Sequence, residues 1–167
     1  MSITVFDLMT AAPASVLQGT TIAEATDVLL QNDAAEIYVV DDAGRLIGMV
    51  PDFELLKSQM IGQSRMDRIE SLMTQHVTTV PSAMAVAEVA PRFREGWHNC
   101  MPVVDDGQLV GQISRRDVLR LRQTLTALES PENVSQESAD MDNVHVLRGP
   151  RFLERNRRPE HRRPAGS

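Results

Sequence analysis

The chain contains the same unit twice, and this repeat constrains the fold more than any other feature of the sequence. Residues 5–56 align onto 69–119 with an offset of 64, which falls to 63 after one residue is lost at Ala43. Leu8-Met9-Thr10 returns as Leu72-Met73-Thr74, Val16 as Val80, and Ala23-Glu24 as Ala87-Glu88. Val39-Val40-Asp41-Asp42 returns as Val103-Val104-Asp105-Asp106, while Gly44, Leu46, Gly48 and Leu56 find Gly107, Leu109, Gly111 and Leu119. These identities fall in one order and have a duplicated unit, not chance, as their source.

Each copy reads as β-α-β-β-α. A short strand (Ala14–Leu17, Val77–Val80) precedes a helix whose apolar residues in the first copy, Ile22, Ala25, Val28 and Leu29, recur at helical spacing. Thr20 or Thr21 caps that helix, with Glu24 in its first turn. Two apolar runs, Ile37–Val40 and Leu46–Val50, flank Asp41-Asp42-Ala43-Gly44, a cluster that tolerates the positive φ of tight hairpins. The second copy turns on Asp105-Asp106-Gly107, one residue shorter. A second helix follows each hairpin, over Asp52–Gln59 and Arg115–Leu125. Pro91 falls inside the first helix of the second copy, where a lost donor predicts a kink.

One copy of about 55 residues is marginal as an independent fold. Two copies pairing their sheets about a pseudo-two-fold axis are expected to close a shared core. The fold class is therefore α/β with α+β character. Repeats are expected at 3–60 and 69–123, joined by a linker at 61–68 and followed by a mobile tail at 124–167.

Hydrophobic residues at 42% allow a packed core, and aromatics at only 4% leave that core to Val, Leu, Ile, Met and Ala. The lone Cys100 excludes an internal disulfide framework and a multi-cysteine metal knuckle. No apolar run approaches the roughly 18 residues of a membrane span. Met1–Thr10 lacks the basic-then-apolar pattern of a secretory leader. These features make a cytoplasmic location the default expectation, without membrane contact.

The net charge of −6 conceals a segregation. Residues 1–123 carry the −6, residues 124–146 are acidic without a Lys or Arg, and residues 147–167 hold seven arginines against Glu154 and Glu160. Beyond Thr124 the apolar periodicity fades, leaving only Val144–Leu147 and Phe152–Leu153 as short anchors. The tail arginines (Arg151, Arg155, Arg157, Arg158, Arg162 and Arg163) read as a solvated terminus rather than a nucleic-acid contact. The stretch Glu129–Asp142 is positioned in sequence to fold back on them.

A β-α-β-β-α unit that opens Leu-Met-Thr and carries Pro-Val-Val-Asp-x-x-Gly-x-Leu-Val-Gly resembles a CBS domain, and two in tandem resemble a CBS pair, or Bateman module. The resemblance covers about residues 3–123. It implies a regulatory module without chemistry of its own, which binds adenosine derivatives such as AMP, ADP, ATP or S-adenosylmethionine in clefts between the repeats. It also implies a homodimer and an effector protein not named by the sequence. In the family motif, Gly-h-h-Ser/Thr-x-x-Asp, the Asp accepts hydrogen bonds from both ribose hydroxyls and the Ser or Thr reaches ribose or phosphate. An ionised carboxylate suits that task because it accepts two O–H bonds at once.

The copies diverge at this motif. The second reads Gly111-Gln112-Ile113-Ser114-Arg115-Arg116-Asp117 and fits in full. The resemblance assigns the ribose to Asp117, its support to Ser114, and phosphate to Arg115 or Arg116. It sets the adenine against Ile113, Met101 and Pro102, its edge read by backbone groups of Val77, Thr78 and Thr79. The first copy reads Gly48-Met49-Val50-Pro51-Asp52-Phe53-Glu54, with Tyr38 where Pro102 stands in the second. Pro51 removes the hydroxyl and an N–H, and Glu54 is one methylene longer than Asp. Asp52, Glu54 and Tyr38 are thus expected to form a weak, altered or empty site.

Plainer roles stand beside these. Ser114-x-x-Asp117 is also a helix-capping box, and Asp52 reads as an N-cap. His98 and Asn99 occupy a stretch where the family often places a phosphate-reaching residue, with plain surface exposure as the other reading. Cys100 reads as a small buried residue, Trp97 as a packing anchor, and Met9 and Met73 as core or dimer packing. The histidines at 76, 98, 145 and 161 share no spacing, and no nucleophile-base pair or Gly-rich phosphate loop appears, which argues against an enzyme. An adenosine sensor and a structural homodimerisation module with decayed sites and a partner-recruiting tail remain.

Overall fold

The computed structural model describes residues 2–96 and 98–129. Trp97, and the tail from Ser130 with its acidic stretch, arginines and apolar anchors, lie outside the described residues.

The elements run α1 (Val5–Leu8), β1 (Thr10–Ala11), β2 (Ser15–Leu17), α2 (Ile22–Gln31), β3 (Glu36–Val40), β4 (Leu46–Pro51), α3 (Asp52–Met60), a 3-10 turn (Ile69–Ser71), α4 (Val86–Gly96), β5 (Cys100–Asp105), β6 (Gln108–Ser114) and α5 (Arg115–Glu129). Thr21 caps α2 through a capping box with Glu24. The second hairpin turns on two residues with positive φ, Asp106 and Gly107, while the longer first turn has Gly44 in that region. Asp41 braces the first turn by accepting from the backbone N–H groups of Ala43 and Arg45, each at 2.9 Å.

Two three-stranded sheets form, ordered β2-β3-β4 and β1-β6-β5. In the first, β2 runs parallel to β3 over Ser15–Leu17. In the second copy the equivalent strand is reduced to one bridge, Val80 to Val103. Pro102 lacks the N–H that Tyr38 donates to the carbonyl of Ala14, and Ser82 N–H, where Gln18 N–H bonds Val40 in the first copy, goes instead to Asp105 Oδ1 at 2.9 Å.

The sequence copies are not the spatial units. The second sheet takes its edge strand β1 from the start of the first copy, Thr10 facing Gln112 and Ala11 facing Gly111. Conversely, Thr74 from the start of the second copy exchanges backbone hydrogen bonds with Met49 on β4, at 2.9 and 3.0 Å. The cores follow this exchange. Val16, Ile22, Ile37, Val39 and Val50 are packed with Ile69, Leu72 and Met73, whereas Val80, Val89, Met101, Val103 and Ile113 are packed with Val5, Leu8 and Met9. Each unit is completed by an arm of the other, so burial that one repeat cannot achieve alone is shared between two.

The arms also cap helices. The carbonyls of Asp67 and Arg65 accept from the first N–H groups of α2, and the carbonyl of Ile3 accepts from Val86 at the start of α4. The hairpin tips meet as well, Leu46 N–H bonding Gly107 and Leu109 N–H bonding Gly44.

Helix α4 continues through Pro91, which is exposed and leaves the Ala87 carbonyl on an exposed part of the helix where water can satisfy it. Two sequence expectations are corrected. Helix α5 runs to Glu129, past the composition change at 124, with Thr124 and Thr126 hydroxyls bonding back to the carbonyls of Arg120 and Arg122. Asp52 is not an N-cap: Pro51 occupies that position at the end of β4, and Asp52 is the first helical residue.

Candidate functional site

Strand β6 ends at Ser114 and α5 begins at the next residue, so the motif Ser114-x-x-Asp117 straddles a strand-to-helix junction. Ser114 N–H and Oγ donate to Asp117 Oδ2 at 2.9 and 2.6 Å, and Asp117 N–H donates to Ser114 Oγ at 3.2 Å. The capping reading of this motif is therefore realised. Asp117 Oδ1 accepts from Arg120 at 3.2 Å and retains acceptor capacity on that oxygen.

The two arginines ahead of Asp117 differ in their surroundings. Arg115 is held by Asn99, through the Asn99 carbonyl at 3.0 Å from its N–H and through Asn99 Oδ1 on its guanidinium. Arg116 is exposed. Met101 and Ile113 are fully buried in the second core, and Pro102 is buried beside them. Val77 is half-buried, while Thr78 and Thr79 are exposed and outside the ladder.

In the first copy a cleft of about 450 Å³ opens beside the equivalent junction. Pro51, Phe53 and Glu54 form one wall and the segment Leu72–His76 the other, so one cleft is made by both copies. Glu54 pairs with Lys57 at 3.5 Å, one helical turn on. Tyr38 lies fully buried, outside the lining, with its hydroxyl donating to Glu36. Gln75, His76 and Phe53 were not legible as a group, because residues 51–54 and 72–76 meet only through the exchanged arm.

A polar cluster sits where the copies face each other. Burial pushes the Glu36 carboxyl above the usual range, against the pull of the Tyr38 hydroxyl and of His98, with Asp52 adding to the rise. Cys100, at the position equivalent to Glu36, is pushed up to about 11 by burial, with Glu36 and Asp117 contributing. A thiol held so far above neutrality is a poor nucleophile. Among the described residues no three His, Cys, Asp or Glu side chains converge to hold a metal ion. No helix among them is long and apolar enough to cross a membrane.

Comparison with known proteins gives a consistent result. The family model for the CBS domain matches residues 5–60 and 69–123. A homoserine O-acetyltransferase of Methanohalobium evestigatum is 25% identical over 118 residues, covering 70% of this chain. The chain spans about a quarter of that relative's length, 24%. Among solved structures, a putative acetoin utilization protein from Vibrio cholerae is 27% identical with a TM-score of 0.68, covering 77% of this chain and 96% of the other. The CBS domain pair of protein MJ0100, in complex with 5′-methylthioadenosine and S-adenosyl-L-methionine, is 25% identical with a TM-score of 0.65, covering 75% and 99%. CBSX2 in complex with AMP is 27% identical with a TM-score of 0.65, covering 74% and 98%.

Proposed function

Because the chain belongs to the CBS domain family, we propose that it is a regulatory module, not an enzyme, which binds an adenosine derivative chiefly at the second repeat and passes that state to a partner protein. The observation that carries this reading is the junction of β6 and α5. There Ser114 and Asp117 sit at a helix start with the exposed Arg116 beside them, and the backbone at Thr78 and Thr79 is left out of the ladder. Asp117 takes the ribose hydroxyls, Ser114 and Arg116 take phosphate, and the backbone of Val77–Thr79 reads the base edge. The ligands of similar CBS pairs, AMP in one and S-adenosyl-L-methionine with 5′-methylthioadenosine in another, support the ligand class.

Thermal melting with AMP, ADP, ATP and S-adenosylmethionine tests the reading, since a ligand of the folded state raises the melting temperature. A rise that Asp117→Ala abolishes and Glu54→Ala leaves intact supports it. No rise with any of the four at millimolar concentration refutes it.

A second reading, a homodimerisation module, has its own observation. Phe53, Leu56 and Met60 form an exposed apolar stripe on α3, at 60%, 60% and 79% exposure. Sedimentation of the wild type as a dimer and of Leu56→Arg with Met60→Arg as a monomer would support that stripe as its interface. A wild-type monomer would exclude it.

A further inference from the structure

Helices α3 and α5 hold equivalent places in the two copies, and each is left with an uncovered outer face. Leu56 on α3 and Leu119 on α5 occupy the same position of the repeat and are 60% and 63% exposed. Their surroundings differ. One turn from Leu56 the exposed face carries Phe53 and Met60, with Asp52 beside Phe53. One turn from Leu119 it carries Arg115 and Arg116 on one side and Arg122 on the other, all exposed. Along its length α3 holds Asp52 and Glu54 against Lys57, whereas α5 holds four arginines against Asp117 and Glu129. The outer face of α3 is thus apolar and acidic, and that of α5 is basic.

The two helices begin together. Asp52 N–H donates to the Ala35 carbonyl and Arg115 N–H to the Asn99 carbonyl, each at 3.0 Å, which ties each helix to the start of the equivalent strand. Those strand starts meet in the polar cluster, where Asp52 and His98 act on Glu36, and Glu36, Asp117 and Arg115 act on Cys100. A partner seated on one of these helices is therefore within reach of the other.

A second copy of this chain can meet that surface in two orders. Like on like lays α5 against α5, so the four arginines of one protomer face the same four of its partner. It also leaves the apolar stripe of α3 facing only itself, with the acids of both protomers brought together. Head to tail lays α3 against α5 of the partner subunit. Leu56 then meets Leu119 of the partner subunit, arginine stems extend over Phe53 and Met60, and Asp52 faces cations instead of another carboxylate. A two-fold axis makes this contact twice and closes the assembly at two protomers.

We infer that two copies of the chain pair head to tail, the apolar, acidic face of α3 in each protomer seated on the basic face of α5 in the other. This rests on the homodimer reading above and adds the order of the helices. The helix that starts at Ser114 and Asp117 is then an interface helix, in contact with the first repeat of the partner.

Disulfide trapping of the full chain reads that order. Every variant also carries Cys100→Ser, which removes the one native thiol. Leu56 and Leu119 are exposed, so a cysteine at either place empties no core. Leu56→Cys combined with Leu119→Cys is expected to run mostly as a covalent dimer after mild oxidation with copper phenanthroline. Leu56→Cys alone and Leu119→Cys alone are each expected to stay at the mass of one chain on a denaturing gel.

A single variant that cross-links to itself overturns the inference and leaves the homodimer reading standing, because only like on like brings equivalent residues together. A wild type that sediments as a dimer while the double variant forms no cross-link overturns both the order and the α3 stripe as the interface. A wild type that sediments as a monomer overturns the inference together with the homodimer reading.

Discussion

Gly48 and Met73 belong to different copies of the repeat, yet a Cβ on Gly48 would run into Met73 Cγ and lie 2.8 Å from the carbonyl oxygen of Thr74. The symmetric pair is Gly111 and Met9, where the added atom would lie 2.7 Å from Met9 Sδ and 2.9 Å from the Thr10 carbonyl. Gly48 and Gly111, which recur in both copies, are thus the places where each strand accepts the other copy's arm.

Gly48→Ala is expected to destabilise the fold by roughly 1–3 kcal/mol, because part of the clash is with backbone that cannot rotate away. Gly111→Ala is expected to cost less, since its contacts with Met9 Sδ at 2.7 Å and the Thr10 carbonyl at 2.9 Å are both milder than those at Gly48. Urea denaturation midpoints check the order; equal midpoints for wild type and Gly48→Ala would refute the close approach.

Ile69→Ala should weaken the first copy, although Ile69 belongs to the second by sequence. The side chain is fully buried in the first core, so its truncation is expected to cost about 2–5 kcal/mol. Hydrogen exchange reads the location. Faster exchange is expected first in β3 and β4, and faster exchange confined to β5 and β6 would contradict the exchanged arms.

Much of this fold was legible in residues close along the chain. The Thr21 cap, the two hairpin turns and the order of elements depend on neighbours a few positions apart, and the duplication doubled each signal. The exchange was not legible, because Leu8-Met9-Thr10 and Leu72-Met73-Thr74 are identical and fit either sheet equally. The loss of one strand was not visible in Pro102 alone, because its effect needs the register that makes its equivalent, Tyr38, a donor to Ala14. Similarly, Ser114 and Asp117 were legible as a motif, whereas the first cleft depends on Phe53 meeting His76 across the exchanged arm.

Ser114→Ala removes the oxygen that caps Asp117 N–H and is expected to cost about 0.5–2 kcal/mol. The loss should appear in melting without any ligand. An unchanged melting temperature would contradict the capping geometry.

Glu36 sets a pH dependence whose sign follows from its raised folded-state titration. The unfolded chain releases this proton near 4.5, while burial makes the folded chain hold it to higher pH. Stability from this group is therefore present below about 4.5 and lost as pH rises through the folded value. Glu36→Gln keeps an acceptor for Tyr38 and removes the charge. It is expected to melt above wild type at pH 7 to 8, with the difference vanishing below 4.5; a constant difference across that range would contradict the assignment.

Asp41 works in the opposite sense, in the folded turn where Arg45 N–H holds its carboxylate below the usual range. Its stabilisation is present above the ordinary carboxylate value and lost as pH falls through the lowered one. Asp41→Asn is expected to reduce the melting temperature at pH 7 and to match wild type in strong acid. Melting curves across that range check the convergence, and a gap that persists in acid would contradict it.

A crystal structure of the chain grown with AMP addresses the central claim most directly. The account predicts density at the β6–α5 junction, with both ribose hydroxyls on Asp117 and the phosphate toward Ser114 and Arg116. AMP seated instead between Phe53 and His76, or Asp117 still bonded only to Ser114 and Arg120 in a crystal where AMP is bound elsewhere, would contradict it.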